Sequence, residues 1–222
     1  MPETKSKPAK IAAITEVVPR SAKDPNLFFI AACDCTGHGV PGAMVSVVCS
    51  NALNRAVNEF GLVETGFILD KTRELVLETF EKSGKDVKDG MDISLLAIHK
   101  KDDGVEVQWS GANNSLLYFD KSEGLKEIKP DKQPIGRTDN PSPFISHRIP
   151  DGFSSFYLYT DGYSDQFGQN DKKLMKKRFK EALENIQGMG MAAQENYLSS
   201  FWEDWKGSKD QTDDVTVIGI KI

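Results

Sequence analysis

The segment Leu27-Phe-Phe-Ile-Ala-Ala-Cys33 ends at Asp34 and runs directly into Cys35-Thr-Gly-His-Gly39. An apolar run this short falls well below the roughly 18–20 residues needed to span a bilayer. It suits a buried strand instead. A carboxylate at the end of such a strand is costly unless it is paired, hydrogen-bonded or bound to a cation. Beyond it the chain turns at Gly37 and Gly39, and Pro41 suits the first turn of a helix. Strand, tight turn and helix therefore meet at one carboxylate.

The rest of the pattern extends this junction. Ile11–Val18 reads as a strand and Pro19–Asn26 as a loop. The helix from Pro41 carries Met44, Val47, Val48 and Ala52 and runs to about Phe60. A second helix is expected over Glu64–Lys82, where Ile68, Leu75 and Thr79, with Leu69, Val76 and Phe80, recur at helical spacing. After the polar Gly84–Gly90 stretch come short strands at Asp92–His99, Val105–Ser110, Leu116–Phe119, Leu125–Ile128, Phe144–Ile149 and Phe153–Thr160. Two amphipathic helices return, one with the stripe Met175, Phe179, Leu183 and Ile186, the other with Leu198, Phe201 and Trp205. Val215–Ile222 is a last apolar strand. Hairpin-linked strands interleaved with helices make this an α+β chain, with sheets covered by helices.

Composition removes several function classes. The 222 residues are 39% hydrophobic and 27% charged, an ordinary globular balance. A net charge of −5 argues against a broad nucleic-acid or anionic-membrane surface, so no nucleic acid and no membrane contact by this segment are expected. Residues 1–10 read as a polar tail without the apolar core of a secretory signal. The cysteines, Cys33, Cys35 and Cys49, lack zinc-site spacing and fit a reduced, cytoplasmic protein, with Cys33 and Cys49 as small core residues.

Asp34 is one of three acids in the same setting. Asp161 follows the strand ending at Thr160 and enters Gly162, and Asp213 and Asp214 precede the strand from Val215. Taken singly, such an Asp is more often a cap or an Asx-turn. Several at one rim of a sheet would form an oxygen-only pocket that suits Mg²⁺ or Mn²⁺ better than zinc.

Asp34-Cys-Thr-Gly-His-Gly-Val-Pro-Gly-Ala43 closely resembles the Asp-x-Ser/Thr-Gly-His-Gly signature of the stage II sporulation protein E family, bacterial members of the metal-dependent PPM, or type 2C, Ser/Thr phosphatases. Tyr159-Thr-Asp-Gly-Tyr-Ser-Asp-Gln-Phe-Gly168 looks like the family's second acidic motif, and Gln211-Thr-Asp-Asp-Val-Thr-Val217 like its C-terminal one. Trp109-Ser-Gly-Ala-Asn-Asn114 and Lys132-Gln-Pro-Ile-Gly136 stand in the places of its Ala-Gly-x-Asn and Pro-Leu-Gly segments.

The resemblance implies two mainly antiparallel sheets sandwiched between helix pairs, a PPM-type phosphatase domain over residues 11–222, and two Mg²⁺ or Mn²⁺ ions at one edge. It implies Asp34 as the bridging ligand and the Cys35 backbone carbonyl as a ligand to one ion. Asp161 and Asp213 would hold an ion, with Asp214 the alternative to Asp213. Asp165 matches an accessory position that binds a third ion in some members. That third ion is not expected here, because Gly111–Asn114 offers amides where those enzymes carry an Asp. Gly37, Gly39 and Gly162 would shape the turns. His38 could protonate the leaving oxygen or simply brace its turn. The implied substrate is a phosphoserine or phosphothreonine protein, such as a phosphorylated anti-sigma-factor antagonist. The implied setting is the output domain of a larger sensor protein in bacterial signalling.

One departure weighs against a complete site. The family carries a Gly-Asp-Phe/Tyr motif on an early strand, whereas residues 1–33 contain no Gly. The N-terminal part of the family domain, with its first strand, is therefore expected to be absent and metal binding impaired. The alternative function is then a phosphoprotein-binding or regulatory module. An unpaired sheet edge invites self-association, so a homodimer is one expected state. The basic run Lys172, Lys173, Lys176, Lys177, Arg178 and Lys180 reads first as the solvated face of a helix and second as a docking face for an acidic phosphoprotein. His99 and His147 fall in strand patterns, with packing or surface roles.

Overall fold

A computed structural model describes residues 10–13, 24–37, 39–82 and 89–222. In chain order its elements are β1 (Lys10–Ala13), β2 (Leu27–Cys35), α1 (Gly39–Asn58), α2 (Thr65–Lys82), β3 (Met91–Lys101), β4 (Gly104–Ala112), β5 (Leu116–Asp120), β6 (Gly124–Ile128), β7 (His147–Ile149), β8 (Phe153–Tyr159), α3 (Gly162–Asp165), α4 (Met175–Ile186), α5 (Met191–Lys206) and β9 (Thr216–Lys221). They form two compact units, each with its own sheet.

The first unit holds the sheet β2-β3-β4-β7, antiparallel throughout. Lys101 pairs with Gly104, so Asp102-Asp103 makes a tight hairpin turn. Helix α1 turns Val45, Cys49, Ala52 and Ala56 inward at helical spacing, and α2 contributes Ile68, Leu69, Leu75 and Val76. Both helices pack with Leu27, Phe29, Ile93 and Leu95 of the sheet, and small inward residues on α1 permit a close approach. Cys33 does not join this core. It is exposed, whereas Ile93, opposite it in the register, is buried in the core.

The second unit holds β1-β9-β8-β5-β6. β8 and β9 are antiparallel, but β1 runs parallel to β9, with Lys10 opposite Thr216. The strand expected over Ile11–Val18 thus appears as Lys10–Ala13, and the remainder of it lies outside the described residues. Helices α4 and α5 pack Phe179, Leu183, Ile186, Leu198 and Trp202 against Tyr157, Tyr159 and Val217. The Tyr157 hydroxyl donates to Gln194 Oε1 at 2.7 Å, and Tyr163 donates to the Leu198 carbonyl at 2.9 Å.

Three local expectations change. Met175 opens α4 at φ 72° and is 58% exposed, so Leu174 takes the buried place at the head of the stripe. On α5, Trp202 is the deeply buried ring, while Phe201 and Trp205 are half-buried. The strand expected from Phe144 begins only at His147. Phe144 turns instead into the α1/α2 core, with its N–H donating to Asp70 Oδ1 at 3.3 Å.

Candidate metal centre

The second unit brings two of the acids together. Asp161 follows β8 and starts α3, and Asp213 lies ahead of β9, the strand hydrogen-bonded to β8. Their carboxylates place an oxygen of each within 4.8 Å of the other. Asp213 accepts a hydrogen bond from the Asp214 N–H at 2.7 Å, and its own carbonyl accepts from Gln211 Nε2 at 2.7 Å. Asp161 and Asp213 are both exposed; partial desolvation still holds the Asp213 carboxyl above the ordinary Asp range, and the neighbouring charges of Asp161, Asp214 and Asp165 push the same way.

Asp213, not Asp214, is thus the acid beside Asp161. Asp214 works through its backbone: its carbonyl accepts from the Thr160 hydroxyl at 3.2 Å, and that hydroxyl accepts from Thr216 N–H at 3.0 Å. The same carbonyl explains Gly162, where a Cβ would stand 2.3 Å from it. Asp165 closes the first turn of α3 onto the Asp161 carbonyl at 2.9 Å, and its carboxylate receives Lys173 Nζ at 2.6 Å. Gln166 braces both segments from within: its amide donates to the Asp210 carbonyl at 2.9 Å, and its own carbonyl accepts from Trp205 Nε1. Lys173 and Gln166 were not singled out as site supports by sequence reading; the spacing of Lys173 from the acidic motif was the available signal.

Asp34 belongs to the first unit, half-buried near the end of β2 and directly across from Asp92 on β3. Like charges in that position repel. Asn113, at φ 57°, donates to Asp92 Oδ1 at 2.8 Å. The turn after Asp34 is tethered at Thr36, whose N–H donates to the Gly90 carbonyl at 3.0 Å and whose hydroxyl donates to Asp89 at 3.1 Å. Gly37 and Gly39 both have positive φ, as the tight turn requires. A Cβ on Gly42 would stand 2.5 Å from the Gly37 carbonyl, so the head of α1 sits directly against the turn. His38 lies outside the described residues.

Beside Asp34, the Cys35 thiol is held down at about 7, chiefly by the neighbouring Cys49 thiol of α1. His99 Nε2 meets Asp24 at 2.8 Å, and His147 lies 5.6 Å from the Trp109 ring, so neither is part of an acidic group. The basic run is a solvated face with local partners: Lys173 pairs with Asp165, Lys177 with Glu181, Lys180 with Glu127, and Arg178 stacks over Trp205.

The donors fit a hard divalent cation. Asp161 and Asp213 offer only oxygen, and their mutual repulsion is what a cation would relieve.

The fold is that of the type 2C, or PP2C, phosphatase domains. It resembles the SiaA-PP2C domain of Pseudomonas aeruginosa at 24% identity and TM-score 0.76, over 90% of this chain and 77% of that one. It resembles the PP2C phosphatase domain and regulatory-domain fragment of the cell fate determinant SpoIIE from Bacillus subtilis at 12% identity and TM-score 0.65, over 93% of this chain and 56% of that one. RsbX in complex with magnesium is similar at 16% identity and TM-score 0.56, over 88% of this chain and 81% of that one. By sequence, residues 24–222 match the family described as Stage II sporulation protein E (SpoIIE), and the chain belongs to that family. No curated protein matches it significantly. Among the described residues, no helix is long and apolar enough to cross a membrane.

Proposed function

We propose that this chain is a metal-dependent protein-serine/threonine phosphatase domain of bacterial signalling, acting in the cytoplasm on a phosphoserine or phosphothreonine protein. The observation that carries the reading is the juxtaposition of Asp161 and Asp213, each inside a segment that resembles a family motif. Asp34, with the Cys35 carbonyl, completes the ligand set in this proposal, and Asp165 is an accessory position.

Bound Mg²⁺ or Mn²⁺ would supply a water of lowered pKa and neutralise charge on the phosphoryl oxygens. The chain's own residues do the holding. Gly162 lets the Asp214 carbonyl pass close behind Asp161. Thr160 links the two strands that carry the acids. Lys173 restrains Asp165. The attack needs no covalent enzyme intermediate, so neither Ser nor Cys is assigned as nucleophile. A phosphorylated anti-sigma-factor antagonist is the substrate class suggested by the family resemblance.

The test is hydrolysis of p-nitrophenyl phosphate with Mn²⁺, with chelator, and by Asp34→Asn. Mn²⁺-dependent turnover that the variant loses supports the reading. A folded chain with neither turnover nor Mn²⁺ binding overturns it and favours a phosphoprotein-binding module, the alternative raised by the missing Gly-Asp motif.

A further inference from the structure

We propose that the groove between α4 and α5 docks an acidic peptide segment of a partner protein, one that carries an apolar side chain between carboxylates. The distribution of charge points there first. The chain is acidic overall, at −5, yet Lys172–Lys180 holds six Lys and Arg residues and no acid. Lys176, Lys177 and Arg178 fall in the first turn of α4, which has no acidic residue. Cations there oppose the helix dipole, so helix stability does not account for them. Lys173 and Lys180 are taken up by close pairs with Asp165 and Glu127. Lys177 and Arg178 instead line a cavity of about 400 Å³.

The lining is built for a carboxylate beside an apolar group. Lys177, Glu181 and Asn185 are spaced by four, as are Arg178 and Ala182, so all five share the α4 face turned to the cavity. The Arg178 guanidinium lies over the Trp205 ring, 4.5 Å from its centroid, and Trp205 is itself fixed through Nε1 to the Gln166 carbonyl. A planar fork held by a ring can grip a carboxylate at two points and loses little freedom on binding. Lys177 is the second cation, 87% exposed and only loosely held at 3.9 Å from Glu181. Phe201 of α5, stacked on Tyr197 with the planes 8° apart, joins Ala182 as the apolar wall.

That wall favours a peptide over a nucleic acid, because the Glu181 carboxylate and the net charge of −5 both repel a long polyanion. Docking here is independent of the phosphatase reading, since the segment needs neither phosphate nor metal to be held. The two can fail separately.

The test is fluorescence polarisation of the full chain with a fluorescein-labelled Glu-Glu-Leu-Glu-Glu peptide, at low and physiological salt. Saturable binding that weakens as salt rises is expected. Lys177→Glu combined with Arg178→Glu should lower affinity about tenfold or more, whereas Lys101→Glu, a charge reversal on the first unit, should not. Glu181→Gln should bind about twofold tighter or better, a gain that misfolding cannot produce. Absence of binding, equal affinity of the double variant and the parent, equal competition by Gln-Gln-Leu-Gln-Gln, or tighter binding of a uridine oligonucleotide than of the peptide would each overturn the proposal.

Discussion

Asp161 and Asp213 reach each other across two neighbouring strands, with carboxylate oxygens within 4.8 Å and the Asp214 carbonyl lodged behind them over Gly162. Two acids this close repel one another, and a cation between them would relieve that repulsion.

Asp161→Asn and Asp214→Asn should therefore part company. The first is expected to lower Mn²⁺-dependent turnover of p-nitrophenyl phosphate by more than about 100-fold, beyond what loss of a supporting partner costs. The second, whose backbone carries its contribution, should stay within about 10-fold of the parent, at the mild end of that range. Steady-state kinetics on both decide it, and equal losses would argue against the assignment.

The pH dependence of stability follows from Asp213. Its carboxyl is raised by partial desolvation and then by its acidic neighbours, so the folded chain binds this proton more tightly than the unfolded chain. The stabilising contribution is present below the ordinary Asp pKa and is lost as pH rises through the raised folded value. In chelator, Asp213→Asn should melt higher than the parent at neutral pH, with the gap closing toward acid. Thermal melts across that range check this, and parallel profiles would refute it.

Gly162→Ala tests the packing behind the pair. The new methyl would stand 2.3 Å from a backbone carbonyl that cannot swing aside. A loss of about 1–3 kcal/mol is expected from such overpacking, read from urea unfolding. An unchanged midpoint would show that the turn relaxes freely.

Tyr163→Phe removes the buried hydrogen bond to the Leu198 carbonyl while keeping the ring against Phe179, whose centroid lies 4.6 Å away. It should cost about 1 kcal/mol. A variant as stable as the parent would make that bond energetically idle.

Much of this molecule was legible in the sequence because its strands and helices obey simple periods. Short apolar runs after the polar Gly84–Gly90 stretch placed β3 through β6, and a Pro after a Gly-rich turn placed α1 to within two residues. The misplacements share a cause. Phe144 and Met175 have the apolar character of their predicted elements, but the backbone turns the first into the α1/α2 core and the second outward at positive φ. Periodicity carries no information about such entry angles. The acidic motifs were visible as motifs, but which acid of the Asp213-Asp214 pair faces Asp161 depends on how the chain enters β9.

The parallel pairing of β1 with β9 moves β9 off the edge of its sheet. Lys10 is hydrogen-bonded into register opposite Thr216, three residues beyond Asp213. Without Lys10–Ala13, β9 would become an edge strand with unpaired backbone groups, and that edge would begin three residues beyond Asp213.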